Sequence, residues 1–167
     1  MLKLNLLGLE QCEQRLREEV PGDHALWEGL EPRLLEPLRV DLTAQYAGNG
    51  ILVRGTLESA VEMECRRCLT VVRAPLEQGV GLWFQPASSV EPDDDESYPL
   101  PERGVELDLS EVVREQVVLA VPAFALCSEA CRGLCPRCGA NRNEAPCGCA
   151  PEAEPSRWDA LKKITLD

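Results

Sequence analysis

The sequence predicts an α+β chain: an antiparallel β-meander sheet with a few short helices, followed by a compact cysteine-rich ribbon or knuckle module near the C-terminal end. Three observations carry that expectation. Apolar alternation of period two recurs in residues 38–46, 51–63 and 72–84, a stretch with three-four apolar spacing lies at 109–120, and six thiols crowd into 127–149 where apolar periodicity has stopped. At 167 residues the chain is one domain, or one domain plus a small appendage. The expected organisation is an N-terminal segment and sheet over 1–85, an acidic Pro-rich linker over 86–104, and a helix, cysteine module and C-terminal helix over 105–167, packed with the sheet as one domain.

Leu2, Leu4 and Leu6 alternate with Lys3 and Asn5, which reads as a strand, and residues 10–19 read as a polar, helical stretch. In the run 51–63, Ile51, Val53, Leu57, Val61 and Met63 share one face while Arg54, Thr56, Glu58 and Glu62 share the other. Gly48-Asn49-Gly50 supplies the turn that makes 38–63 a hairpin. Val72, Ala74, Leu76, Val80, Leu82 and Phe84 mark a third strand, so Cys65-Arg66-Arg67-Cys68 is a turn between two strands of the meander. Residues 86–104, with Glu91-Pro92-Asp93-Asp94-Asp95-Glu96 at their centre, bury too little to fold and read as a solvated loop. Asp108-Leu109-Ser110 can then cap a helix bearing Leu109, Val112, Val113, Val117 and Ala120, and Pro122 ends it. Ser156 caps a last short helix with Trp158, Leu161 and Ile164 as its apolar stripe.

The thiols define the candidate site. Of nine cysteines, eight group as Cys65/Cys68, Cys127/Cys131, Cys135/Cys138 and Cys147/Cys149, the number that two closed four-sulfur sites need, with Cys12 left over as a buried small apolar residue. Two zinc ions per chain are the natural expectation. Cys135-Pro136-Arg137-Cys138-Gly139 has the form of a metal-binding knuckle, in which Gly139 takes positive φ and lets backbone N–H groups face the sulfurs. Disulfides would require an oxidising compartment, yet the apolar stretch at the N-terminus is too short for a signal peptide and lacks a small-residue cleavage site. No stretch approaches transmembrane length, so no membrane partner is expected. With only three Trp, two Tyr and two Phe against thirteen Pro, the core is aliphatic and modest, and metal ligation should matter to stability.

A net charge of −12 argues against broad attraction to nucleic acid or anionic lipid. Arg132, Arg137 and Arg142 nevertheless fall within the cysteine cluster, and Arg66 and Arg67 lie inside the upstream Cys-x-x-Cys. These arginines either contact RNA or a partner, or neutralise their own anionic metal-thiolate centres. Catalysis finds little support, because closed four-sulfur sites leave no position for water and the only histidine, His24, is remote in sequence from every thiol pair and reads as a surface residue.

Taken together, Cys65-Arg66-Arg67-Cys68-Leu69, Leu119-Ala120-Val121-Pro122, the string from Cys127 through Cys131-Arg132-Gly133-Leu134-Cys135-Pro136-Arg137-Cys138-Gly139 to Asn141 and Asn143, Cys147-Gly148-Cys149, and Arg157-Trp158 with Leu161 resemble the YceD family of large ribosomal RNA subunit accumulation proteins. The resemblance covers roughly residues 36–165 in order. It implies a noncatalytic, cytoplasmic-type ribosome-biogenesis factor that supports accumulation of large-subunit (23S) rRNA. Its implied partner is a ribosomal protein or large-subunit rRNA in an assembly intermediate, with neither membrane nor small-molecule substrate. Some family members lack the second set of cysteines, which implies that Cys65, Cys68, Cys127 and Cys131 close one site and Cys135, Cys138, Cys147 and Cys149 another. The alternative division puts Cys127, Cys131, Cys135 and Cys138 on one metal and leaves Cys65/Cys68 with Cys147/Cys149. This chain departs from the family at Arg142, where Leu is more usual. A different class of function, a redox-switched holdase or thiol sensor that ejects zinc on oxidation, is also consistent with so many thiolates.

Overall fold

The structure is a computed structural model that describes residues 2–90 and 97–149. Its frame is a five-stranded sheet in the order β2-β3-β4-β5-β6, where β2 is Gln14–Val20, β3 Leu38–Ala47, β4 Gly50–Glu64, β5 Val71–Gln85 and β6 Ser97–Pro99. The first four strands are antiparallel neighbours and β6 runs parallel to the end of β5. Across the β3–β4 turn Ala47 pairs with Gly50, leaving Gly48 and Asn49 as the two-residue loop.

Period two decides which side chains go inside. On β4, Ile51, Val53, Leu57 and Val61 are buried, opposite or diagonal to Phe84, Leu82, Leu76 and Ala74 of β5. Leu38, Val40, Leu42 and Ala44 of β3 extend the same face. The other face is charged: Arg15 is bidentate to Asp41 at 2.8 and 2.7 Å, Arg17 approaches the same carboxylate at 3.2 Å, and Arg73 meets Glu36 at 2.7 Å. These are exposed pairs, whose worth lies in register more than in stability.

The apolar face is covered by helix α2 (Ser110–Ala120), by a small ribbon of β1 (Lys3–Asn5) with β7 (Glu106–Asp108), by helix α1 (Leu6–Leu9), and by Trp27, whose indole donates to the Pro21 carbonyl at 2.9 Å. Helix α2 buries Val113 and Val117, with Leu109 just before it, as its three-four spacing predicts. The cap is displaced by one place: Asp108, two residues before the first helical residue, accepts from the Ser110 N–H at 2.9 Å. His24 is exposed, and its Nδ1 accepts the Leu26 N–H at the start of a single 3₁₀ turn.

Three sequence expectations need correction. Residues 14–20 are a strand, not part of a helix; β2 is an edge strand that turns only Leu16 and Val20 inward as apolar residues, too few to reveal alternation. Cys12 is exposed, because it sits in the turn between α1 and β2 where its N–H reaches back to the Gly8 carbonyl. Within the acidic stretch, Ser97–Pro99 pair with β5, Tyr98 packs on Phe84 at 5.4 Å between ring centroids, and Leu100 donates its N–H to Gln85. The expected helix bearing Trp158, Leu161 and Ile164 lies outside the described residues.

Candidate metal centres

Strands β4 and β5 are each fifteen residues long and outrun β3, so their hairpin projects a tip beyond the rest of the sheet. That tip is Cys65-Arg66-Arg67-Cys68. It is closed by Cys65 N–H to Thr70 O at 2.8 Å and Leu69 N–H to Cys65 O at 2.9 Å, with Leu69 at positive φ. Pro122 ends the direction set by α2, and the chain then crosses the tip: Ala125 forms a parallel bridge with Cys65, and Arg66 N–H donates to the Ala125 carbonyl at 3.0 Å.

Cys127 and Cys131 are thereby set against Cys65 and Cys68. Cys65 Sγ lies 3.8 Å from Cys131 Sγ, Cys68 Sγ lies 3.6 Å from Cys127 Sγ, and all four sulfurs fall within 4.8 Å of one another. A second set, Cys135, Cys138, Cys147 and Cys149, gathers equally tightly. A tetrahedron of sulfurs about a metal at roughly 2.3 Å has edges of about 3.8 Å, whereas a disulfide needs about 2.05 Å. The cluster spacing therefore fits metal coordination, and each set of four thiols can hold one ion. Of the two divisions left open by the sequence, the sulfurs gather in the one that sets Cys65 and Cys68 with Cys127 and Cys131.

The electrostatics of the sulfurs agree with that chemistry. The backbone N–H of Cys127 draws Cys65 down to about 6 against the effect of burial, helped by the N–H groups of Arg67 and Cys68. In the second set, the N–H groups of Cys138 and Arg137 bring Cys135 down to about 6, the knuckle pattern that Gly139 permits at φ 72°. Crowding acts oppositely on one thiol of each set: the sulfurs of Cys131 and Cys68 push Cys127 up to about 12, and those of Cys138 and Cys135 do the same to Cys149. Each cluster thus contains a thiol ready to lose its proton and one that keeps it until a cation offsets the gathered negative charge.

The clusters differ in exposure. Cys65, Cys68 and Cys131 are buried in a small group with Val72, Leu126 and Leu134, and only Cys127 is exposed; in the second set only Cys135 is buried and Cys138 is exposed. Among the candidate arginines, Arg67 donates from Nη1 to the carbonyls of Glu129 and Cys131 at 3.0 and 3.1 Å, holding the tail against the tip. Arg66 lies 4.4 Å above the Phe124 ring. Arg132, Arg137 and Arg142 are exposed.

Two residues escaped sequence reasoning. Gly133 is buried at φ 70°, and a Cβ there would stand 2.9 Å from the Arg67 carbonyl oxygen. Asn143 accepts the Arg132 N–H at 2.7 Å and donates from Nδ2 to Cys131 Sγ at 3.3 Å. Asn141 and Asn143 stood out in the sequence only as part of a shared string.

The fold and site define a class: a mixed sheet whose projecting hairpin meets a distant segment at four thiols that could hold a metal ion, with a second such four-thiol cluster beyond it. The family described as "Large ribosomal RNA subunit accumulation protein YceD" matches residues 53–165, which include both clusters. The chain belongs to this family. It is similar to an uncharacterized protein of Mycobacterium tuberculosis, 30% identical over 128 residues, covering 76% of this chain and 61% of the relative. It is also similar to proteins named large ribosomal RNA subunit accumulation protein YCED homolog 1, chloroplastic. The one from Arabidopsis thaliana is 24% identical over 155 residues, 77% of this chain and 48% of the relative. The one from Zea mays is 26% identical over 152 residues, 74% and 51% respectively. The chain thus spans about half to three-fifths of the length of these relatives. No solved structure matches it. Among the described residues no helix is long and apolar enough to cross a membrane.

Proposed function

We propose that the chain is a noncatalytic, cytoplasmic zinc-binding factor of ribosome biogenesis that supports accumulation of large-subunit (23S) rRNA by holding a basic ribosomal protein in an assembly intermediate. The observation that carries the reading is the cluster of Cys65, Cys68, Cys127 and Cys131, drawn from segments 59 to 66 residues apart to the spacing of a tetrahedral metal site, in a chain of the YceD family. Four soft thiolates at tetrahedral spacing suit zinc, and a site closed by four sulfurs offers no position for a reacting water. The Cys135, Cys138, Cys147 and Cys149 cluster is the zinc-ribbon or knuckle part of the same module.

Charge favours a protein partner over RNA. At −12 the chain attracts a Lys/Arg-rich surface and repels phosphate, and the candidate arginines Arg66 and Arg67 already have internal partners. Recovery of tagged chain at native salt should yield one ribosomal protein whose binding weakens as salt rises. Recovery of rRNA alone, with binding lost on replacing Arg132 or Arg137 while zinc is retained, would reverse the assignment.

The exposure of Cys127 and Cys138 favours a second reading, a redox-switched holdase in which oxidation releases zinc. Mild peroxide discriminates: unchanged zinc content and unchanged suppression of aggregation remove it.

A further inference from the structure

The turn that serves the second cluster also reaches into the first. Cys135 N–H donates to Ala140 O at 2.8 Å, Leu134 and Asn141 form an antiparallel bridge, and Arg142 N–H donates to Gly133 O at 3.0 Å, so residues 140–142 lie back along the strand-like path 133–135. Asn141 Oδ1 then accepts both the Asn143 N–H at 3.1 Å and its Nδ2 at 2.9 Å, while Asn141 Nδ2 donates to Glu144 at 2.8 Å. These bonds fix the Asn143 amide so that its oxygen takes the Arg132 N–H and its nitrogen faces Cys131 Sγ, a sulfur of the other cluster. The same Nδ2 serves Asn141 and Cys131. It is a direct side-chain link between a turn bounded by Cys138 and Cys147 and a sulfur of the hairpin-tip cluster.

We infer that Asn143 is a positioning residue that couples the two four-thiol centres: a metal at Cys135, Cys138, Cys147 and Cys149 fixes the 140–144 turn, and the turn stabilises the Cys131 thiolate that helps hold a metal at the hairpin tip. The inference rests on the reading of both clusters as metal centres. Its physical basis is that a hydrogen bond to a ligating sulfur stabilises the charged form of the ligand and orients it, and that a donor on a short turn is held only while the turn is held. The more exposed centre is the first to meet chelator or oxidant. Its loss removes the Asn143 donor, and the buried centre becomes easier to empty. The metal state of the outer cluster is thereby passed to the joint between sheet and tail.

The test uses the full reduced chain loaded with Co²⁺, challenged with EDTA, and followed by the sulfur-to-cobalt absorption and by mass-spectrometric mapping of maleimide on each cysteine. Asn143→Asp retains the acceptor for Arg132 and replaces the donor facing Cys131 with an oxygen. It should speed labelling of Cys127 and Cys131 about tenfold, and that of Cys138 and Cys149 by less than about twofold, the scale of one hydrogen bond to a charged group. It should also shift the absorption of the slower-released ion. Replacing Cys147 and Cys149 with Ser, which leaves Asn143 in place, should speed labelling of Cys127 and Cys131 by a similar factor. Adding Asn143→Asp to that variant should then change little. Two bound ions with unaltered Cys127 and Cys131 labelling in Asn143→Asp, or fully additive effects, would overturn the coupling alone. A wild-type chain that binds no metal would overturn the metal reading with it.

Discussion

Gly133 shows how much of the hairpin-tip joint rests on one missing side chain. Its φ of 70° is a left-handed conformation that costs other residues about 1–2 kcal/mol. An added Cβ would press to 2.9 Å on the Arg67 carbonyl, the acceptor of the Leu134 N–H. Gly133→Ala should therefore lower the urea midpoint by an amount consistent with at least that cost, and should make Cys131 more reactive to maleimide. An unchanged midpoint and unchanged reactivity would show that the backbone yields there freely. Gly139 could be recognised from sequence because its role is local, in the turn between Cys135 and Cys138. Gly133 could not, since the atom that would crowd its side chain belongs to a distant turn. The same holds for Arg67, which pairs with two backbone carbonyls of the tail that no local pattern announces.

Helix α2 is the element whose boundaries rest most clearly on local chemistry. Three-four spacing puts Val113 and Val117 inside, Pro122 stops the helix, and Asp108 satisfies a free N–H at its start. Asp108→Ala should lower stability by about 1 kcal/mol, as loss of a capping acceptor does. The Ser110 side chain, then its N–H, hold the Asp108 carboxyl below its usual range against the opposing effect of partial burial. Because the folded pKa lies below the unfolded one, this contribution is complete above the unfolded value of about 4 and is lost as pH falls through the lower, folded value. Denaturation curves at pH 7 and below pH 4 should show the variant's deficit shrinking on the acid side. A deficit independent of pH would indicate lost packing instead. Strand β2 is the contrasting case. An edge strand with one solvated face and two apolar inward residues carries too little periodicity to exclude a helix, and its pairing with β3 decides the matter.

At the scale of the molecule, the apolar interior is split unequally. One large cluster joins the sheet, α2, the β1–β7 ribbon and Trp27, while Cys65, Cys68 and Cys131 form a small cluster with Val72, Leu126 and Leu134, of which Val72 touches both. The large cluster can stand on burial, and on the proposed metal reading the small one depends on an ion held by its sulfurs. Removing metal from reduced protein should therefore expose the amides of 125–149 to rapid hydrogen exchange while β3, β4 and β5 remain protected. Loss of protection across the whole sheet at once would show a single cooperative unit. Replacing the buried Leu57 with Ala should have the converse effect, lowering global stability by about 2–5 kcal/mol, read by denaturant unfolding of the sheet.

Sequence alone determined what depends on near neighbours: period-two strands, the hairpin turn, the capped helix, the knuckle glycine and the presence of eight paired thiols. Tertiary structure decided which pairs share a cluster, that residues 14–20 add an edge strand, that Cys12 faces solvent, and that Asn143 and Gly133 belong to the joint. Turns and alternation are settled within a few bonds of the chain. A contact such as Cys65 with Cys131, 66 residues apart, exists only once the long hairpin has projected its tip and the segment after α2 has crossed it.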